Sequence, residues 1–231
     1  MTDRHIVAMG GGQDVADPAF RFVAGLVDRP RPKVCLLPTA ASAVPVSVMR
    51  FLSVFPTDRF EPTYLDLFAR DGRDLRDFLL SQDLVFVGGG STANLLAVWR
   101  VHGLDTILEE AWRSGVVLAG GSAGANCWFE ASTTDSFGPL APLPDGLGLL
   151  PGSFCPHYTS EPGRRPLFHE LVADGFPPGI ACDDLAAAHY VGTELAEVVS
   201  SDPSSHAYRV VRGADGAVHE EVLPARNLAA D

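Results

Sequence analysis

Apolar runs and amphipathic stretches alternate along the first 125 residues. HIVAM (5–9), KVCLLPT (33–39), TYLDL (63–67), DLVFV (83–87) and VVLAG (116–120) are short and apolar almost throughout, the pattern of strands buried on both faces. Between them lie stretches with apolar residues at helical spacing, over 17–29, 43–53, 73–81, 91–103 and 104–115. Asp17 before Pro18 marks a helix start, Ser91 or Thr92 marks another, and Gly103 marks a stop. Strand–helix alternation predicts a parallel sheet covered on both faces, and right-handed crossovers wind it in both directions. After about residue 129 the texture changes. The Ser-, Thr-, Pro- and Gly-rich stretch 130–146 predicts a surface loop, 163–175 a further helix, and the tail from about 181 a set of short strands with a hairpin turn at RGADGA. The expected fold is α/β: a doubly wound, mostly parallel sheet sandwiched by helices, with a short antiparallel C-terminal extension, all in one domain over 1–231.

Composition narrows the function. The chain has 231 residues, 46% of them apolar, enough for one α/β domain with a sizeable core. Its net charge is -12 and its 17 basic residues are scattered, which sets nucleic acid aside as a partner, because phosphate binding needs clustered Lys and Arg. No apolar run reaches the ~18 residues of a membrane-crossing helix. The opening MTDRHIVAMGGGQ lacks the apolar core of a secretory signal, so the expectation is a cytoplasmic protein with no membrane partner. Cys35, Cys127, Cys155 and Cys182 sit singly, without a CxxC pair, and read as buried thiols rather than as zinc ligands or a disulfide framework.

In such sheets, sites collect beyond the C-terminal strand ends, where three glycine-rich turns fall here: 10–12, 88–90 and 120–124. The last of them raises the sharpest chemistry. In GVVLAGGSAGANCWF (115–129) a strand runs into Gly120-Gly121-Ser122-Ala123-Gly124 and then a helical segment, the context in which G-x-S-x-G makes a nucleophile elbow. The turn projects the serine Oγ from the sheet and aims the Ala123 N–H at the space where an oxyanion would form. A nucleophilic serine needs a base, and the base an orienting acid. Of seven histidines, His157 follows Pro156 at a strand end or loop, where side chains can converge. His169 falls on a helix, His189 in a strand and His219 in a polar hairpin. Asp135, Asp183 and Asp184 are the acid candidates. An α/β-hydrolase places its histidine last, near the chain end, whereas His157 lies well inside this chain; a different nucleophile-elbow fold is implied.

Taken in order, IVAMGGG (6–12), LLPTA (36–40), VFVGGGSTANLL (85–96), GGSAGANCW (120–128), PHYTS (156–160) and DDLAAAHYVG (183–192) resemble the peptidase E (aspartyl dipeptidase) family of serine peptidases, related to cyanophycinase. The resemblance spans roughly residues 6 to 212, with the expected catalytic elements in 6–192 and C-terminal strands in 193–231. It implies Ser122 as nucleophile, His157 as general base and Asp184 as the acid, where several relatives carry glutamate. Asp183 is the nearest substitute, and Asp135 resembles an acidic position that shapes the substrate pocket. The oxyanion hole would combine the Ala123 N–H with one from Gly89. For substrate, Arg164 and Arg165 would grip a carboxylate, and Glu161 an α-amino group. The implied activity is hydrolysis of short peptides by a dipeptidase of Asp-X or broader N-terminal specificity, with no cofactor and no metal; a homodimer is the assembly allowed for. Two alternatives stand beside it. One is a cyanophycinase-like isopeptidase or an esterase. The other is a non-catalytic binding module whose glycine turns hold an anion, although Val15 stands where a dinucleotide fingerprint needs its third glycine.

Overall fold

The computed structural model describes residues 3–230. The alternating first half folds as β1 (His5–Met9), α1 (Pro18–Gly25), β2 (Lys33–Leu37), α2 (Val44–Val54), β3 (Glu61–Tyr64), α3 (Leu75–Leu80), β4 (Leu84–Val87), α4 (Thr92–His102), α5 (Leu104–Arg113) and β5 (Val117–Gly121). At the start of α1 the Asp17 carboxylate accepts the Ala19 N–H at 2.8 Å, with Pro18 in the first turn. α1 ends at Gly25, short of residue 29, as the chain turns toward Pro30 and Pro32. The Ser91 hydroxyl caps α4 by accepting from Asn94 N–H, and Gly103 closes it in the left-handed conformation. β3 covers 61–64 rather than 63–67, because ladder pairing with β2, from Lys33↔Glu61 to Leu36↔Tyr64, sets its bounds.

The second half supplies α6 (Ala123–Asn126), β6 (Phe129–Thr134), β7 (Ala141–Leu143), β8 (Leu150–Cys155), α7 (Arg164–Ala173), β9 (Gly179–Cys182), β10 (Ala186–Val191), β11 (Glu194–Ser200), β12 (Ala207–Arg212), β13 (Val218–Leu223) and β14 (Ala225–Asn227). These elements complete two sheets. The larger has the order β14-β11-β10-β1-β5-β4-β2-β3, with β1, β5, β4, β2 and β3 parallel, β10 antiparallel to both β1 and β11, and β14 parallel to β11. The smaller has the order β13-β12-β9-β8-β6-β7, parallel through β6, β8 and β9. The expected C-terminal extension is thus divided. β10, β11 and β14 widen the main sheet, while β12 and β13 edge the second.

The stretch expected to be a surface loop is the main departure. Ser132, Thr133 and Thr134 lie in a buried strand of the second sheet. Threonine suits a pleated strand whatever its polarity, and two of the segment's polar groups have partners: Asn126 Nδ2 donates to the Thr133 carbonyl at 3.0 Å, and the Thr134 and Ser136 hydroxyls pair at 2.7 Å.

Strand alternation sorts the core into layers. Val7 and Met9 of β1 face Phe20 and Val23 of α1 and Phe51 of α2. Ile6 and Ala8 face the other way, into a core shared by Leu95 and Trp99 of α4, Leu108 of α5, and Phe129, Phe154 and Ile180 of the second sheet. α7 covers the far face of that sheet, burying Phe168 and Val172 against Tyr158, Ala181 and Tyr208. Among the described residues, no helix is long and apolar enough to cross a membrane.

Candidate active site

The C-terminal end of β1 organises the site. Three successive carbonyls at its end, those of Met9, Gly10 and Gly11, each accept a backbone N–H from a different segment. Met9 takes Ser122 N–H at 3.1 Å, Gly10 takes His157 N–H at 3.2 Å, and Gly11 takes Leu185 N–H at 2.8 Å. Segments far apart in sequence are thereby pinned to three adjacent points. Among the described residues, Ser122, His157 and Leu185 are also the non-glycine residues with positive φ, at 54°, 52° and 66°. Left-handed backbone is costly for a side-chain-bearing residue and gathers where function demands it.

The side chains then meet in a line. His157 Nε2 lies 2.8 Å from Ser122 Oγ, and His157 Nδ1 lies 2.6 Å from Asp184 Oδ1. A carboxylate only accepts, so Nδ1 carries the proton, and Nε2 is left with its lone pair toward the serine hydroxyl. The imidazole is half-buried, at 17% side-chain exposure, and Asp184 sits at 33%, which shields the line without sealing it from a small substrate. Gly11 is required for this approach. A Cβ there would fall 2.1 Å from His157 Cε1, and the residue has φ +133°. Ser122 tops a turn that only small residues allow, since a Cβ on Gly120 would stand 2.3 Å from the Gly124 carbonyl oxygen. The Ala123 N–H opens α6 with no preceding helical carbonyl to bond. Gly89, in the turn after β4, borders Ser122 closely enough that a Cβ on it would be 3.6 Å from the serine Cβ.

The remaining expected residues go elsewhere. Asp183 turns away from His157 and is buried, accepting from Thr159 Oγ1 at 2.6 Å, His206 N–H at 3.0 Å and Tyr208 OH at 3.1 Å. Burial, and the Asp183 charge beside it, push the Tyr208 hydroxyl up to about 12. Asp135 is exposed beyond β6. Arg164 is buried and donates to Glu161 at 2.5 Å, so these two side chains satisfy each other. Arg165 is paired with Glu220, with its guanidinium 5.8 Å from the ring centres of both Tyr158 and Tyr208. Neither arginine, nor Glu161, nor Asp135 lines the cavity beside Ser122. The four cysteines are buried, and burial lifts the Cys155 thiol to about 12, so none of them offers a reactive thiolate.

Three polar side chains absent from the expected set do line that cavity, those of Gln13, Ser47 and Arg50. The sequence holds a faint sign of the last two. In VPVSVMRFLSV a mostly apolar helix carries Ser47 and Arg50 three apart, hence on one face, and Phe51 and Val54 continue that face into the cavity.

The chain is similar to known proteins in sequence and in fold. Residues 6–198 match the profile of Peptidase family S51. The chain is 44% identical over 230 residues to the uncharacterized peptidase YgaJ of Bacillus subtilis, covering 97% of this chain and 99% of that protein. It is 36% identical over 98 residues to peptidase E of Streptomyces coelicolor, covering 41% of this chain and 40% of that one. In fold it is similar to a crystal structure of a peptidase from an acI-B1 actinobacterium, with TM-score 0.70 and 20% identity over 96% of this chain and 95% of the other. A match that runs through β1, the glycine turns, the serine elbow and the His157 and Asp184 segments establishes that the chain belongs to peptidase family S51, the peptidase E family that its motifs resemble.

Proposed function

We propose that the chain hydrolyses short peptides as a serine peptidase, with Ser122 as nucleophile, His157 as general base and acid, and Asp184 as the group that orients His157. The observation that carries this is the unbroken line Ser122 Oγ–His157–Asp184 at 2.8 and 2.6 Å, with the serine on an elbow of positive φ. Ser122 Oγ bonds to the scissile carbonyl carbon as its proton passes to His157 Nε2. The carbonyl oxygen, now negative, is held by the N–H groups of Ala123 and Gly89. The C–N bond breaks as His157 returns the proton to the departing amine, leaving an acyl-serine. Water, deprotonated by His157, then releases the acid and restores the serine. Asp184 keeps the proton on Nδ1 throughout and stabilises the imidazolium.

Specificity is broader than Asp-X. Arg164 and Arg165, the expected aspartate readers, are neutralised by Glu161 and Glu220 and stand outside the cavity. The test is hydrolysis of a free-amino dipeptide panel, Asp-X against Ala-X, Leu-X and Met-X, by wild type and Ser122→Ala. Cleavage by wild type, reduced by about 10³-fold or more in Ser122→Ala, is the expected result. Equal rates in both proteins, or no cleavage at all, would remove the peptidase assignment of Ser122.

A further inference from the structure

Beside Ser122 a cavity of about 380 Å³ opens between the main sheet and the two helices that cover it, a size typical of small-ligand sites. Its walls are apolar and largely aromatic: Phe20 from α1, Phe51 and Val54 from α2, Phe55 just beyond it, Leu36 from β2 and Phe86 from β4. The polar end is formed by Ser122, His157 and the Gly11-Gly12-Gln13 turn. Gln13 is 94% buried, being 6% exposed, and its Nε2 donates to nothing. Its Oε1 lies 3.8 Å from where a Cβ on Gly121 would be, which puts the amide next to the serine elbow. A buried amide donor without a protein acceptor is costly, and one that borders a cavity can be completed by a ligand there. Arg50 borders the same cavity from the solvent side of α2.

We propose that this cavity is the specificity pocket of the enzyme, taking the bulky apolar side chain of the residue whose carbonyl Ser122 attacks, with Gln13 Nε2 donating to an oxygen of the substrate backbone. The proposal rests on the assignment of Ser122 as nucleophile. It assigns the pocket a chemistry opposite to that of an aspartate reader. Desolvating a Phe or Leu side chain against aromatic walls is favourable, whereas a carboxylate carried past Arg50 into those walls would lose its hydration without a buried cation to replace it.

The experiment compares Phe-Ala, Leu-Ala, Ala-Ala and Asp-Ala as substrates of wild type, Val54→Trp, Val54→Phe, Gln13→Ala and Arg50→Gln, with thermal melting to confirm folding. Wild type should favour Phe-Ala and Leu-Ala over Ala-Ala by about tenfold or more in kcat/KM. Each filling substitution at Val54 should shrink that ratio toward one, chiefly through KM, and the smaller Val54→Phe serves if Val54→Trp does not fold. Gln13→Ala should lower kcat/KM for all substrates alike by about tenfold, since it touches the backbone. A flat ranking, or a preference untouched by both fillers, overturns the pocket. A lead for Asp-Ala that disappears in Arg50→Gln also overturns it and makes Arg50 the carboxylate reader. Calorimetric binding of Phe-Ala and Ala-Ala to Ser122→Ala separates this from failure of the nucleophile assignment. If nothing is hydrolysed, tighter binding of Phe-Ala that weakens in Ser122→Ala/Val54→Phe still supports the pocket, and equal binding sinks it.

Discussion

Two neighbouring carboxylates, Asp183 and Asp184, do different work one peptide bond apart. Asp184 Oδ1 sits 2.6 Å from His157 Nδ1, while Asp183 is spent on Thr159, His206 and Tyr208. Asp184→Asn keeps the shape but presents an amide that can hold the wrong imidazole tautomer. kcat on a cleaved dipeptide should fall by about 10⁴-fold, the size of that effect in serine proteases, with little change in melting temperature. Asp183→Asn should do the reverse. It leaves buried donors short of an acceptor, costing about 1–3 kcal/mol in denaturant unfolding, and kcat should stay within about an order of magnitude. Rates and melts on the two variants check the division. Sequence alone puts both acids in one turn and leaves the choice between them to family resemblance. What separates them physically is the left-handed Leu185 backbone, fixed by its N–H on Gly11, and the His206–Tyr208 segment arriving from another strand. Neither is visible in a local pattern. Ser122 and His157 are legible earlier because glycine spacing and the Pro156 break are local features.

At the scale of elements, the helices on the two faces of the main sheet are not equally secured. α4 buries Thr92, Leu95, Leu96 and Trp99, with Trp99 Nε1 donating to Thr39 Oγ1 at 3.1 Å. α2 buries Phe51 alone and leaves Val46, Met49 and Leu52 exposed, although it is as long as α4. Few buried contacts mean a low free energy of local opening. Hydrogen exchange should therefore show α2 amides less protected than those of α4 by about 100-fold or more, and a dipeptide held in the cavity by Ser122→Ala should narrow the gap. Equal protection of the two helices without ligand would contradict this. The same unevenness explains what sequence reading recovers. Apolar runs such as HIVAM and DLVFV announce themselves because both of their faces are covered. β6 hides because three of its buried positions are Ser132, Thr133 and Thr134, whose polarity masks a burial that only the fold imposes. The division of the C-terminal strands between two sheets is likewise a matter of partners. β10 joins β1, while β12 joins β9, and nothing within AAAHYVG or AYRVVRG distinguishes those destinations.

For the whole molecule, the junction of β1, β10 and β11 couples stability to pH. His189 is buried between these strands, with Nε2 3.0 Å from His5 Nδ1, Nδ1 3.4 Å from Glu197 Oε1, and its ring against Phe22. Burial, the largest influence, pushes its pKa below the ordinary 6.5, and the charges of His5 and Arg226 act in the same direction; Glu197 opposes them only in part. An unfolded chain takes up this proton near pH 6.5, whereas the folded chain resists it. Between the two pKa values the unfolded state binds more protons, so stability rises with pH there. His189 therefore contributes in full above about pH 6.5, and the contribution drains away as pH falls from there through the folded value. A second window lies lower. Burial alone would raise the Glu220 carboxyl, but donation from Tyr158, His169 and Arg165 outweighs it and holds the group below its ordinary 4.5. Its contribution is complete above that value and is lost as pH falls further, through the folded pKa. Urea unfolding followed from pH 8 to 3 should thus show two declines, one starting near neutrality and one below about pH 4.5. His189→Gln, which keeps hydrogen-bonding capacity toward His5 and Glu197 but does not titrate, should flatten the first and leave the second. If the first decline survives in His189→Gln, the β1–β10–β11 junction is not its source.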